Sequence, residues 1–158
     1  MNKMKIGFLK IIIVGIGFII LSVCVFLPAI LESQGWLTNP AYEHILSVVH
    51  IGLYVTLIPF FIALYQTLKL LNYIKDNNAF SELAANSLRS IKNSALVIIA
   101  LYIIGIVFLA LSDAMQNGLI AMGIFNIFTA LVITIFVMVL EELLRGIIKM
   151  KMENDLTV

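Results

Sequence analysis

Charge is what this sequence has least of. Only 12% of its 158 residues are Asp, Glu, Lys or Arg, about half of the ~25% usual in soluble globular chains. A soluble sphere of this size has too much surface to cover with so few charges, so the soluble class is excluded. The net charge is +1, which excludes the low-hydrophobicity, high-charge composition of disordered chains. It also leaves no basic stripe of the kind direct nucleic-acid binding requires. One cysteine, Cys24, excludes an internal disulfide and any multi-cysteine metal site. There is no Gly-rich phosphate loop.

What is present in excess is apolar surface. Residues of the AVILMFWYC set make up 62%, against roughly 45–50% in soluble chains, and the mean hydropathy is +1.10. A helix needs about 20 mostly apolar residues to cross the hydrocarbon core. Four segments qualify, at about residues 11–30, 48–68, 94–112 and 119–140, and none carries a charge inside it. One charge at a span centre would cost about 2.5–3.5 kcal/mol on insertion scales. The predicted fold is therefore an all-α integral membrane protein, a four-transmembrane-helix up-down bundle forming a single membrane domain over residues 1–158.

The loops predict its orientation. All ten Lys and Arg fall in three places: Lys3, Lys5 and Lys10 before the first span, Lys69, Lys75, Arg89 and Lys92 between the second and third, and Arg145, Lys149 and Lys151 after the fourth. The segments 31–47 and 113–118 have none. Basic residues of short loops stay cytoplasmic, so the expectation is a multi-pass protein of the cell (plasma) membrane with N- and C-termini cytoplasmic. Trp36, Tyr42 and His44 suit the outer interface. The first apolar stretch is longer than a signal-peptide core and no small-x-small cleavage site follows it. Leu21-Ser22-Val23-Cys24 departs from a lipoprotein box at Val23, and Cys24 is read as a membrane-buried thiol.

The inner loop carries the most local information. Asp76-Asn77-Asn78 is a turn cluster. Ser81 is a candidate N-cap with Phe80 as a hydrophobic staple and Glu82 in the first turn. Phe80, Leu83, Ala84, Leu88, Ile91 and Ala95 then recur at helical spacing, with Glu82, Asn86, Arg89 and Asn93 opposite. This predicts an amphipathic helix over about 81–93, either lying in the headgroup plane or running unbroken into the third span. In the cytoplasmic tail, 141–158, Leu140, Leu143, Leu144, Ile147 and Ile148 continue a helical stripe, Glu141 sits four residues before Arg145, and the last six residues read as a short mobile end. Leu68, Leu71 and Ile74 extend the second span in the same way. The three extensions either pack on each other and on lipid headgroups, or present a docking surface, for which the candidate residues are Phe80, Leu83, Leu88, Arg89 and Ile91.

These strings are similar to something known. Asn77-Asn78-Ala79-Phe80-Ser81, then Asn86-Ser87-Leu88-Arg89-Ser90-Ile91, and the ending Glu153-Asn154-Asp155-Leu156-Thr157-Val158 resemble the signature of a bacterial four-span membrane family catalogued as domain of unknown function 2975. The resemblance runs over essentially the whole chain, including the four-span layout. It implies no activity and no catalytic residues. It does imply a cytosolic partner, because members are often paired with a small helix-turn-helix transcriptional regulator.

Candidate chemistry is sparse. His44 and His50 are six apart and share no helix face, so no metal set forms; His50 reads as an interfacial histidine or as an outer pH-sensing group. Pro59 is expected to kink the second span, for packing or for a binding cavity, and to free a carbonyl near Val55 that the Thr56 hydroxyl satisfies in part. In the fourth span Asn126, Ala130 and Thr134 are spaced i, i+4, i+8 with Thr129 beside them. This is a candidate polar seam for packing against other helices or for a polar path. No intramembrane Asp, Glu, Lys or Arg marks a transport route, and no nucleophile has a base on its own side of the bilayer. The expectation is a protein that is not an enzyme, binds no cofactor or metal, and works in the lipid bilayer as a regulator or sensor. The competing expectation is a small transporter, efflux or immunity component acting as a homo-oligomer.

Overall fold

The structure, a computed structural model, describes residues 3–33, 43–113 and 117–157. Trp36 and Tyr42 lie outside the described residues. The described chain is four helices: α1 Lys3–Ser33, α2 Glu43–Lys75, α3 Glu82–Leu111 and α4 Asn117–Leu156. All four are long and apolar enough to cross a membrane. Each also exceeds the ~20 residues a crossing needs: α4 has 40, a rod of about 60 Å at 1.5 Å per residue.

The overhangs lie at the end of the molecule that carries Lys and Arg. The amphipathic segment 81–93 is not a separate element; it forms the first turns of α3, which continues without a break into the apolar run. Nothing in the sequence between Glu82 and Leu111 interrupts it except Gly105, and a single glycine costs only about 1 kcal/mol. The polar ending expected to be mobile is helical as far as Leu156.

The ends of α2 and α3 are set by local chemistry. Asn77 takes φ 60°, and the N–H of Asn78 donates to Tyr73 O at 2.7 Å while that of Asn77 donates to Ile74 O at 3.4 Å. This is a Schellman closure with asparagine in the left-handed position that glycine usually fills. Ser81 then opens α3: its backbone is extended and its Oγ accepts from the N–H of Ala84 at 3.3 Å. Phe80 remains largely exposed. Replacing Ser81 by alanine is expected to cost about 1 kcal/mol of stability, read as a lower unfolding midpoint in detergent; no change would mean that tertiary packing alone sets this helix start.

Consecutive helices pack in register. Lys10 Nζ of α1 donates to Asn72 Oδ1 of α2. Further along, Gly17 lies so close to Leu64 that a Cβ there would sit 2.7 Å from Cδ2. Ile106 of α3 packs on Gly123 of α4. The order stays open: α1 packs on α2, α2 on α3 and α3 on α4, and among the described residues the backbone of α4 does not come close to that of α1 or α2. The core is correspondingly lopsided. Its main cluster is Ala84, Ala85, Leu88, Ile91, Val137, Leu144 and Ile148, with Leu70 and Tyr73 packed against it, so it gathers at the basic end. On α4 the buried positions Ala130, Thr134, Val137, Glu141, Leu144 and Ile148 alternate steps of four and three, the 3.5-residue period of a coiled-coil seam. On α3, Ala84, Leu88, Ile91 and Ala95 do the same. Ala84 and Ala85 are 0% exposed; their small side chains let two backbones approach closely.

Pro59 is buried inside α2, which continues as one helix on both sides of it although proline has no N–H to give to the carbonyl of Val55. The Thr56 hydroxyl donates to Leu53 O at 2.7 Å, not to the carbonyl of Val55. A threonine in a helix reaches back three or four residues, and the carbonyl next to it in sequence points along the axis, out of reach.

Candidate functional site

The feature that departs most from an apolar bundle is a chain of charges at the inner end of the α3–α4 seam. Glu141 occupies a seam position on α4, one residue past the uncharged run, and its side chain is 10% exposed. A carboxylate this buried is costly unless paired. Lys92 of α3 donates to Oε2 at 2.8 Å, and Arg145, one turn on along α4, donates through Nε to Oε1 at 3.2 Å. Arg145 also reaches Glu82 Oε2 at 3.3 Å. The order Lys92–Glu141–Arg145–Glu82 thus alternates in sign and crosses between the helices twice. Burial works to raise the Glu141 carboxyl, but the hydrogen bonds and charges of Lys92 and Arg145 outweigh it and hold the group below its ordinary value of 4.5. The outer Arg145–Glu82 contact is exposed and contributes little.

Only part of this network was visible in the sequence. Glu141 and Arg145 are an i, i+4 pair; the partner on the other helix, Lys92, was not singled out. A partial signal is the antiparallel hairpin: Lys92 lies 19 residues before the end of α3 and Glu141 24 after the start of α4, an offset of 5 residues or about 7.5 Å that the two long side chains bridge.

The candidate docking residues divide. Leu88 and Ile91 are buried in the core cluster, so they are unavailable to a partner. Phe80, Leu83 and Arg89 are exposed. The expected apolar face was wider than α4 and α2 together cover, and its edge is left out. The stripe on α4 divides in the same way: Leu144 and Ile148 face α3, while Leu140, Leu143 and Ile147 are exposed.

The polar seam of the fourth span divides too. Thr134 is 3% exposed and sits with Ala130 against α3, whereas Thr129 is exposed and Asn126 half-buried. Four residues overshoot a helical turn of 3.6 by about 40°, so a run at i, i+4, i+8 drifts off one face. None of the three bonds across helices. Asn126 Nδ2 donates to Met122 O, Thr129 Oγ1 to Phe125 O, and Thr134 Oγ1 to Ala130 O, at 2.7–2.9 Å.

At the other end, His44 is exposed and His50 half-buried, with its Nε2 out of contact with any hydrogen-bond partner among the described residues. No group of three or more His, Cys, Asp and Glu gathers within reach of one metal ion among the described residues. Cys24 is half-buried in α1.

Four apolar helices and a charged clamp at one end define a multi-pass membrane protein with a packed layer extending beyond its spans. The chain belongs to the family described as "Protein of unknown function (DUF2975)", which matches residues 11–158. It is similar to "Uncharacterized membrane protein YoaS" of Bacillus subtilis (strain 168), with 42% identity over 160 residues and the whole of both chains covered. No solved structure matches.

Proposed function

We propose that this protein is a non-catalytic regulator of the cell membrane, oriented with both termini in the cytoplasm, whose inner helical layer holds a small cytosolic partner of the helix-turn-helix regulator type. The observation that carries the reading is that α2, α3 and α4 all overhang their spans at the basic end, where the Lys92–Glu141–Arg145 network clamps α3 to α4. A protein that only filled the bilayer has no use for a second, water-facing core. The layer leaves Phe80 and Leu83 exposed at the start of α3 and Arg89 exposed about 9 Å further along and on another side of the helix, so an apolar pair and a cation are both open to a partner. Such a patch suits a partner with an apolar anchor and an acidic rim. The HTH identity of the partner comes from the family resemblance and from no contact in the structure.

The test is co-purification. The chain extracted in mild detergent is expected to retain the helix-turn-helix protein encoded beside it. Leu83→Glu combined with Arg89→Glu is expected to lose it while keeping the helical spectrum of the parent, because both side chains are exposed. If the neighbouring regulator never enriches with the unaltered chain, the proposal is wrong.

A further inference from the structure

We propose that α4 pairs with α4 of a second copy of this chain, along the stripe Asn126, Thr129, Ile133, Phe136, Leu140, Leu143, Ile147, Met150 and Asn154. This stripe has the same alternation of three and four as the buried seam, but it lies on a flank that α3 leaves open: its six large apolar residues are between 37% and 64% exposed. Within the span, exposed apolar side chains are covered by lipid and need no other explanation. Past the span they are not. The headgroup layer is only about 5–8 Å deep on each side of a ~30 Å core, while Ile147 and Met150 lie about 10 and 15 Å beyond Leu140 at 1.5 Å per residue. There the rest of the helix surface is Glu142, Arg145, Gly146, Lys149, Lys151 and Glu153, with Met152 and the terminal Leu156 its exposed large apolar residues off the stripe, so the apolar line is a distinct feature in water.

The occupant must therefore span the bilayer and continue past it. At the other end of the stripe it must also meet Asn126, a polar group at membrane depth whose amide uses one donor on its own helix. In lipid such groups bond across helices. A soluble protein reaches only the inner third of the stripe. A second α4 has every requirement at the right height, because two copies in one membrane point the same way and a two-fold axis sets each residue beside its counterpart. Asn126 then meets Asn126, the arrangement that fixes register in parallel pairs. Beside Leu143 and Ile147 the stripe is flanked by Gly146, whose side has nothing within 4 Å of a built Cβ, so close approach is open and no like charges are forced together. Six side chains about half exposed give on the order of 600 Å² per copy, near the ~800 Å² per partner of a standard interface.

The experiment uses the full chain in native membranes with Cys24→Ala and single cysteines, oxidised with copper phenanthroline. Leu143→Cys, Ile147→Cys and Met150→Cys are expected to give disulfide-linked dimers, and Glu142→Cys and Lys149→Cys to give almost none. Adding Gly146→Phe to Met150→Cys leaves the protomer intact but wedges the pair apart, and should lower dimer yield about tenfold. Equal cross-linking at all five positions, adducts only with a different protein, or a yield unmoved by Gly146→Phe would each overturn the proposal.

Discussion

Glu141→Ala is expected to destabilise the protein by about 3 kcal/mol, because removing one member of a buried pair strands the other. Lys92 is 20% exposed at its side chain and would be left facing the apolar end of the α3–α4 seam. Arg145 would lose its inner carboxylate and keep only the exposed contact to Glu82. The measurement is the midpoint of SDS or thermal unfolding in detergent. The double variant Lys92→Met with Glu141→Leu should recover most of the loss, since apolar residues of similar volume remove the desolvation cost of both charges. A Glu141→Ala variant as stable as the parent would mean that water already screens the pair. The same carboxyl sets a pH dependence. Its folded value lies below the ordinary 4.5, so its contribution is fully present above 4.5 and is lost as pH falls through the lower folded value. Acid should weaken the parent and leave the double variant less affected.

How much of this was legible beforehand depends on which solvent each residue meets. The spans and the helix ends were readable because their signals are local: an uncharged run of about 20 residues, an asparagine that tolerates positive φ at position 77, a serine able to accept at position 81. Facing was not. In water, a buried stripe stands out against polar neighbours; in lipid, a side chain against another helix and one against acyl chains are equally apolar. That is why Leu143 and Leu144, adjacent and identical, read as one stripe and fall on different faces. It is also why Asn126 and Thr134 read as one seam. What separates them is the 3.5-residue period of the α3–α4 contact, which becomes countable once Glu141 is known to be buried. Lys92–Glu141 escaped notice for a related reason: a pairing between helices needs the antiparallel register, and that register comes from packing contacts such as Ile106 on Gly123.

The proposed orientation makes an all-or-none prediction. With Cys24→Ala as background, a membrane-impermeant maleimide added to intact cells should label cysteine placed at Glu43 or Asp113 and leave Lys75→Cys and Lys151→Cys untouched until the membrane is opened. The physical reason is the sorting of cations. All ten Lys and Arg lie at one end of the helices and none in segments 31–47 or 113–118, and each short basic loop resists translocation. The structure adds that the inner ends of α3 and α4 stay on one side together, whichever side that is. Lys92, Glu141 and Arg145 are locked together between α3 and α4, so the end that bears them behaves as one folded unit and cannot be divided between the two sides. Labelling of Lys75→Cys or Lys151→Cys from outside an intact cell would reverse the assignment. It would place the Phe80–Leu83–Arg89 patch where no cytosolic regulator can reach it, while the α4–α4 pairing, which needs only that two copies share one orientation, would stand.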